Sequence, residues 1–108
     1  MVNQYLYRIQ PVRLGMVTDG PTDEEGSTLS DHFNYLKTLT DRGVVLVFGR
    51  TQNNDASTFG ITIFRAESEK DARSIMNNDP AIKKGLMKGE LFPYRVAGLN
   101  VSSDWTLD

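Results

Sequence analysis

The chain has no cysteine. That excludes a disulfide framework, a thiolate nucleophile and a cysteine-built zinc ribbon. It has a single histidine, His32. One imidazole without thiolates is a poor ligand set, so no metal is expected. No apolar run approaches the ~20 residues that a membrane helix needs. The first residues, Met1-Val2-Asn3-Gln4, do not resemble a signal peptide. An excess of either charge is missing too: 12 basic side chains stand against 14 acidic ones, a net charge of -2. That balance argues against non-specific binding to nucleic acid or to a membrane surface. No G-x-G-x-x-G or Walker pattern appears, which speaks against a nucleotide cofactor. No nucleophile elbow supports a Ser-His-Asp hydrolase. The expectation is a cofactor-free, cytoplasmic single domain of 108 residues, although the lack of cysteine alone does not exclude a secreted one.

The densest information lies between Leu29 and Gly49. Leu29, His32, Phe33, Leu36 and Leu39 recur at the spacing of one helix face. Gly43 is a helix stop, and Val44 to Phe48 follow as a β-branched and aromatic strand. The lone histidine is therefore expected on the inward face of a helix that feeds a central strand.

Around this stretch the chain alternates in type. Gln4 to Val12 reads as a strand, with Tyr5, Tyr7 and Ile9 on one face and Leu6, Arg8 and Gln10 on the other. Arg13 to Ser27 is a long connection. Thr22 to Glu25 fits a capping box that could open a helix early, but Gly26 and Ser27 interrupt, so the main helix is expected from about Ser27 to Arg42, with room for one extra turn before it. Thr58 to Ala66 forms a hairpin with the preceding strand. Ser68 caps a second helix with Ala72, Ile75 and Met76 inward, and Asn77-Asn78-Asp79-Pro80 stops it. One further turn is expected over Ala81 to Gly85. The last strand falls within Leu86 to Val96, most securely Glu90 to Val96. Residues 1–97 make the domain, and 98–108 a polar tail carrying Trp105.

The order βαββαβ predicts an α+β, ferredoxin-like domain: a four-stranded antiparallel sheet with both helices on one face. The opposite face is left bare. Yet the central strands are apolar on both sides, with Val44, Leu46 and Phe48 set against Val45 and Val47. A bare apolar face of several hundred Å² usually marks an interface. A homodimer packed sheet on sheet is the expected partner arrangement.

Two segments carry a resemblance. They are D-H-F-N-Y-L-K-T-L-T-D-R-G-V-V-L-V-F-G, from Asp31, and A-R-S-I-M-N-N-D-P-A-I-K-K-G-L, from Ala72. The second is the more specific, because Asp-Pro at a helix end followed by Gly-Leu is uncommon. Over Tyr5 to Val96 the chain resembles the YciI-like, YCII-related family of the dimeric α/β-barrel superfamily. The resemblance implies a histidine–aspartate active-site pair, His32 and Asp79. Relatives often carry Gly-Pro after the second strand, where this chain has Gly49-Arg50. The cation of Arg50 is thus a candidate to bind an anionic group of a substrate, or else only a solvated turn residue. Tyr7, a polar-tipped aromatic on the first strand, is a further candidate, though a residue of this kind is more often core than functional.

An imidazole with an unperturbed pKa of about 6.5 suits acid/base work near neutrality. An aspartate on one ring nitrogen fixes the tautomer and leaves the other nitrogen to act. That fits proton abstraction beside a carbonyl, isomerisation of a lactone, or elimination. The residues alone describe more readily a core histidine satisfied by a backbone carbonyl and an aspartate that only ends a helix. Two functions follow: a small cofactor-independent lyase or isomerase, or a non-catalytic dimeric module binding a small ligand or a protein. A pocket lined by His32 and Asp79 points to the enzyme. A buried His32 bonded only to backbone points to the module.

Overall fold

The computed structural model describes residues 3–102; Trp105 lies outside them. The alternation of the first stretch produces β1 (Asn3–Pro11), and Tyr5, Tyr7 and Ile9 are its buried face. β1 pairs antiparallel with both β3 (Gly60–Ala66) and β4 (Met87–Pro93). β2 (Val45–Arg50) adds antiparallel to β3, giving the order β2-β3-β1-β4. This is the ferredoxin-like sheet that the element order predicts. One side is covered by α2 (Asp23–Asp41) and α3 (Glu69–Asn77), whose Leu36, Ala72 and Met76 close the core over Tyr7 and Phe64.

The extra turn before Ser27 is part of the main helix, which starts at Asp23. Thr22 caps α2: its hydroxyl accepts from Glu25 N at 3.1 Å, and the Glu25 carboxylate accepts from Thr22 N at 2.9 Å. The capping box thus outweighs the helix-breaking tendency of Gly26 and Ser27. Arg13 adds to it through a forked contact on the same Glu25. Hydrogen bonds from Arg13 hold the Glu25 carboxyl down at about 2. The intervening connection is not structureless, since Gly15–Thr18 forms a short helix, α1, with Met16 buried.

At the other end of α2, Gly43 has φ +78°, a conformation open to glycine at no steric cost. Gly43 N donates to Thr40 O and Val44 N to Leu39 O, the paired bonds of a Schellman cap. The expected turn near Ala81 is α4 (Pro80–Lys83), and it ends in the same way at Gly85.

Two faces differ from expectation. Phe33 is 52% exposed, and the buried stripe of α2 runs instead through Thr28 and Leu36, with His32 between them. The Phe33 ring lies edge-on to Phe48 at 5.8 Å, on the rim of the core. In β2 a register shift between Val45 and Val47 breaks the alternation. A bulge moves every later side chain to the other face. Val45 and Phe48 therefore both turn to the core, while Leu46 and Val47 are exposed. The last strand lies earlier than its most secure expected part: it ends at Pro93, with Tyr94 N still donating to Gln4 O at 3.0 Å just beyond it.

Gly89 lets β4 approach the helices closely. A Cβ there would meet Ile82 Cδ1 at 2.8 Å and Met76 Sδ at 3.0 Å. Both are ends of flexible side chains, so Gly89→Ala is expected to cost about 1–2 kcal/mol in urea unfolding. An unchanged midpoint would mean that the contact is loose.

Candidate functional site

The site is built around a helix cap. α3 stops at Asn77, and Asp79 caps the short α4, accepting from Ala81 N at 3.0 Å while Pro80 takes the first helical position. A cap normally faces water. Here α4 lies against α2 and the underside of the sheet, and Asp79 is 0% exposed. A buried carboxylate must find donors. Asp79 has two besides its own helix. Tyr7 Oη, from the centre of β1, donates to Oδ2 at 2.7 Å. His32 Nδ1, from α2, lies 2.7 Å from Oδ1 and 2.9 Å from Oδ2. Three elements, β1, α2 and α4, bring donors to one carboxyl group.

A carboxylate only accepts, so Nδ1 is assigned the hydrogen and Nε2 the lone pair. The His32 side chain is 16% exposed. Its Nε2 has no hydrogen-bond partner among the described residues, and it is not among the sealed polar atoms. The ring therefore presents one nitrogen to the carboxylate and the other outward. Thr28 stands one turn before His32 on the same stripe, 4% exposed. Thr18 and Thr40 bond back to the carbonyls of Leu14 and Leu36; the Thr28 hydroxyl makes no such bond. Its spacing from His32 was visible in the sequence, but a threonine between apolar positions gave no functional signal.

Tyr7 is fully buried, edge-on to Phe64 at 5.6 Å. It reaches Asp79 from behind and has no surface of its own for a substrate. Burial, then the Asp79 charge and hydrogen bond, push its hydroxyl far above the usual tyrosine range. Tyr35 donates to Ile75 O at 2.7 Å, and burial followed by the Asp79 charge pushes it up to about 12. Both stay protonated in the folded chain at a pH where the unfolded chain ionises them, near 10. The unfolded state then binds fewer protons, so stability is full below about pH 10 and declines as pH rises toward 12. The urea midpoint is expected to fall between about pH 9 and pH 11, less steeply in Tyr35→Phe. Parallel profiles would remove Tyr35 as a source.

Arg50 stands exposed at the end of β2, beside Gly60. No hydrogen bond or ion pair among the described residues joins it to His32 or Asp79. A shallow groove of about 330 Å³ runs along α2 past Asp31, Tyr35, Thr38 and Arg42; it includes neither His32 nor Asp79. Asp79, being sealed, lines no surface. His32 is thus neither the wall of a pocket shared with Asp79 nor a residue bonded only to backbone. It is a half-buried ring clamped by a hidden carboxylate. Among the described residues no three metal-ligating side chains cluster, and no helix is long and apolar enough to cross a membrane.

Fold and geometry together define a class: a ferredoxin-like α+β domain whose single histidine is held from beneath by a buried aspartate. Within that class the chain belongs to the YCII-related domain family, whose model matches residues 10–94. No curated protein matches it significantly in sequence. Among solved structures it is similar to the 5-chloro-2-hydroxyhydroquinone dehydrochlorinase of Burkholderia phenoliruptrix AC1100, determined in complex with 2,5-dihydroxybenzoquinone. The TM-score is 0.63 over 85% of this chain and 93% of that one, at 22% identity. At that identity the likeness is one of fold.

Proposed function

We propose that this chain is a cofactor-independent enzyme of the lyase or isomerase kind, acting on a small carbonyl-bearing compound, with His32 as its acid/base group. The observation that carries the reading is the division of the imidazole: Nδ1 bound to buried Asp79, Nε2 open. In the proposed step Nε2 takes a proton from carbon beside the substrate carbonyl. The electron pair passes to the carbonyl oxygen, or expels a leaving group from the neighbouring carbon. Asp79 stabilises the imidazolium so formed. The proton then returns to a second carbon, or leaves with the departing group. Tyr7 acts by holding Asp79. Arg50 is given no role in this step.

The similar dehydrochlorinase carries out an elimination, which makes hydroxylated quinones and quinols sensible first substrates beside keto acids and lactones. The reading includes a homodimer joined through the bare sheet face, where Leu46, Val47 and Phe92 are 43–49% exposed. The test is a panel of these compounds incubated in heavy water and followed by NMR. Deuterium exchange or elimination by the wild type, lost in His32→Gln, supports the enzyme. The groove that bypasses His32 favours a second reading, a ligand-binding module. An untouched panel, with 2,5-dihydroxybenzoquinone still shifting the His32 ring signals, would select the module.

A further inference from the structure

The bare sheet face carries a cation at its centre. Arg8 projects from the middle of β1 on the side away from the helices, opposite Ile61 of β3 and Glu90 of β4. Its guanidinium lies over the Phe59 ring, 4.8 Å from the centroid. That contact attracts the charge but supplies no acceptor. Arg8 Nε is buried and has no hydrogen-bond partner; it is the one such side-chain atom among the described residues. A buried donor without an acceptor is a rarity that calls for a partner. Glu90 faces it across the ladder and is exposed, yet no ion pair joins the two within one chain. Glu90 is also the one carboxylate among the strand residues of this face.

We propose that Arg8 and Glu90 form the polar key of a self-complementary interface, the Arg8 of each copy donating to Glu90 of the partner subunit. The inference rests on the homodimer reading above and adds its register. Two-fold symmetry makes such a contact reciprocal: one crossing pair implies the other. A small anion would satisfy Arg8 but would leave Glu90 unpaired and Val47 and Phe92 in water. A second copy meets all three needs. Two apolar sheets alone can slide, and a pair of crossed charges fixes one alignment.

Light scattering and sedimentation of the intact chain at micromolar concentration provide the test, with circular dichroism melts to confirm folding. The wild type is expected as a dimer. Arg8→Glu and Glu90→Arg each place like charges together and are expected to weaken the dimer on the order of a hundredfold. Mixing the two folded variants restores both crossed pairs, so a heterodimer of wild-type strength is expected. A monomeric wild type would overturn the homodimer reading and the pairing with it. A dimeric wild type with unaffected variants, or a mixture that stays monomeric, would overturn the pairing alone. If Arg8→Glu does not fold, Glu90→Arg is compared with Glu90→Gln. Reversal must then weaken the dimer more than neutralisation, and equal weakening overturns the proposal.

Discussion

Asp79→Ala is expected to lower the unfolding free energy by about 3–5 kcal/mol, the cost of breaking a buried, charge-assisted cluster by removing one member. Three groups lose their acceptor at once: Tyr7 Oη, His32 Nδ1 and Ala81 N. Each buried orphan costs roughly 1–3 kcal/mol, less whatever water recovers. His32 recovers most, since its ring reaches the surface. Tyr7 recovers least, because it is fully buried beneath the sheet. The loss is a large share of the ~5–15 kcal/mol that holds an ordinary domain together. Tyr7→Phe removes one donor and leaves the carboxylate two, so about 1–2 kcal/mol is expected. The pair of variants should be markedly non-additive, because once Asp79 is gone the tyrosine hydroxyl has already lost its carboxylate acceptor. Urea unfolding of the two single variants and the double variant measures this directly. An Asp79→Ala chain as stable as the wild type would show that the carboxylate does not support the fold.

Much of this architecture was legible in the residues, because local signals agreed with the fold. Tyr5, Tyr7 and Ile9 alternate, and they are the buried face of β1. Ser68 reads as a cap, and its hydroxyl accepts from Asp71 N. The misreadings came where two local rules competed or where an extra residue entered. At the start of α2 the capping box of Thr22 and Glu25 competed with Gly26, and the cap prevailed with help from Arg13, a partner too distant in sequence to be read. In β2 the bulge left the composition unchanged and reversed the faces. The inward face of α2 was read one notch off, with Phe33 in place of Thr28, because an apolar ring outranks a threonine in any hydropathy pattern.

For the site, the pairing of His32 with Asp79 was reachable only through the family resemblance, since 47 positions separate them. Nothing in the spacing says that a helix cap will be folded under a sheet. The part of Tyr7 in that cluster was hidden for the same reason: its partner is a cap, and caps are ordinarily wet. Arg50, singled out because it departs from a pattern, lies at a strand end with no tie to the pair. A departure from a pattern marks a difference without saying what the difference does.

The largest functional effect is expected from His32→Gln, a loss of ~10²–10⁴-fold in kcat/KM on whichever compound of the panel the wild type turns over. Glutamine fills much of the space and keeps an amide that can donate to Asp79, so the carboxylate retains a partner. It has no group that can take a proton and return it. The fall should appear mainly in kcat, because the lost interaction is made in the transition state. Asp79→Asn isolates the other half of the reading. An amide in place of the carboxylate can donate to Nδ1, which would place the hydrogen on Nε2 and leave no lone pair facing the substrate. Nitrogen chemical shifts of the His32 ring report that tautomer directly, without a substrate. Nε2 bare in the wild type and protonated in Asp79→Asn, with activity lost in step, is the expected outcome. A His32→Gln chain within threefold of wild-type activity would remove the histidine from the chemistry, whatever Asp79 does for the fold. A ring whose tautomer ignores Asp79→Asn would leave the carboxylate a structural cap alone.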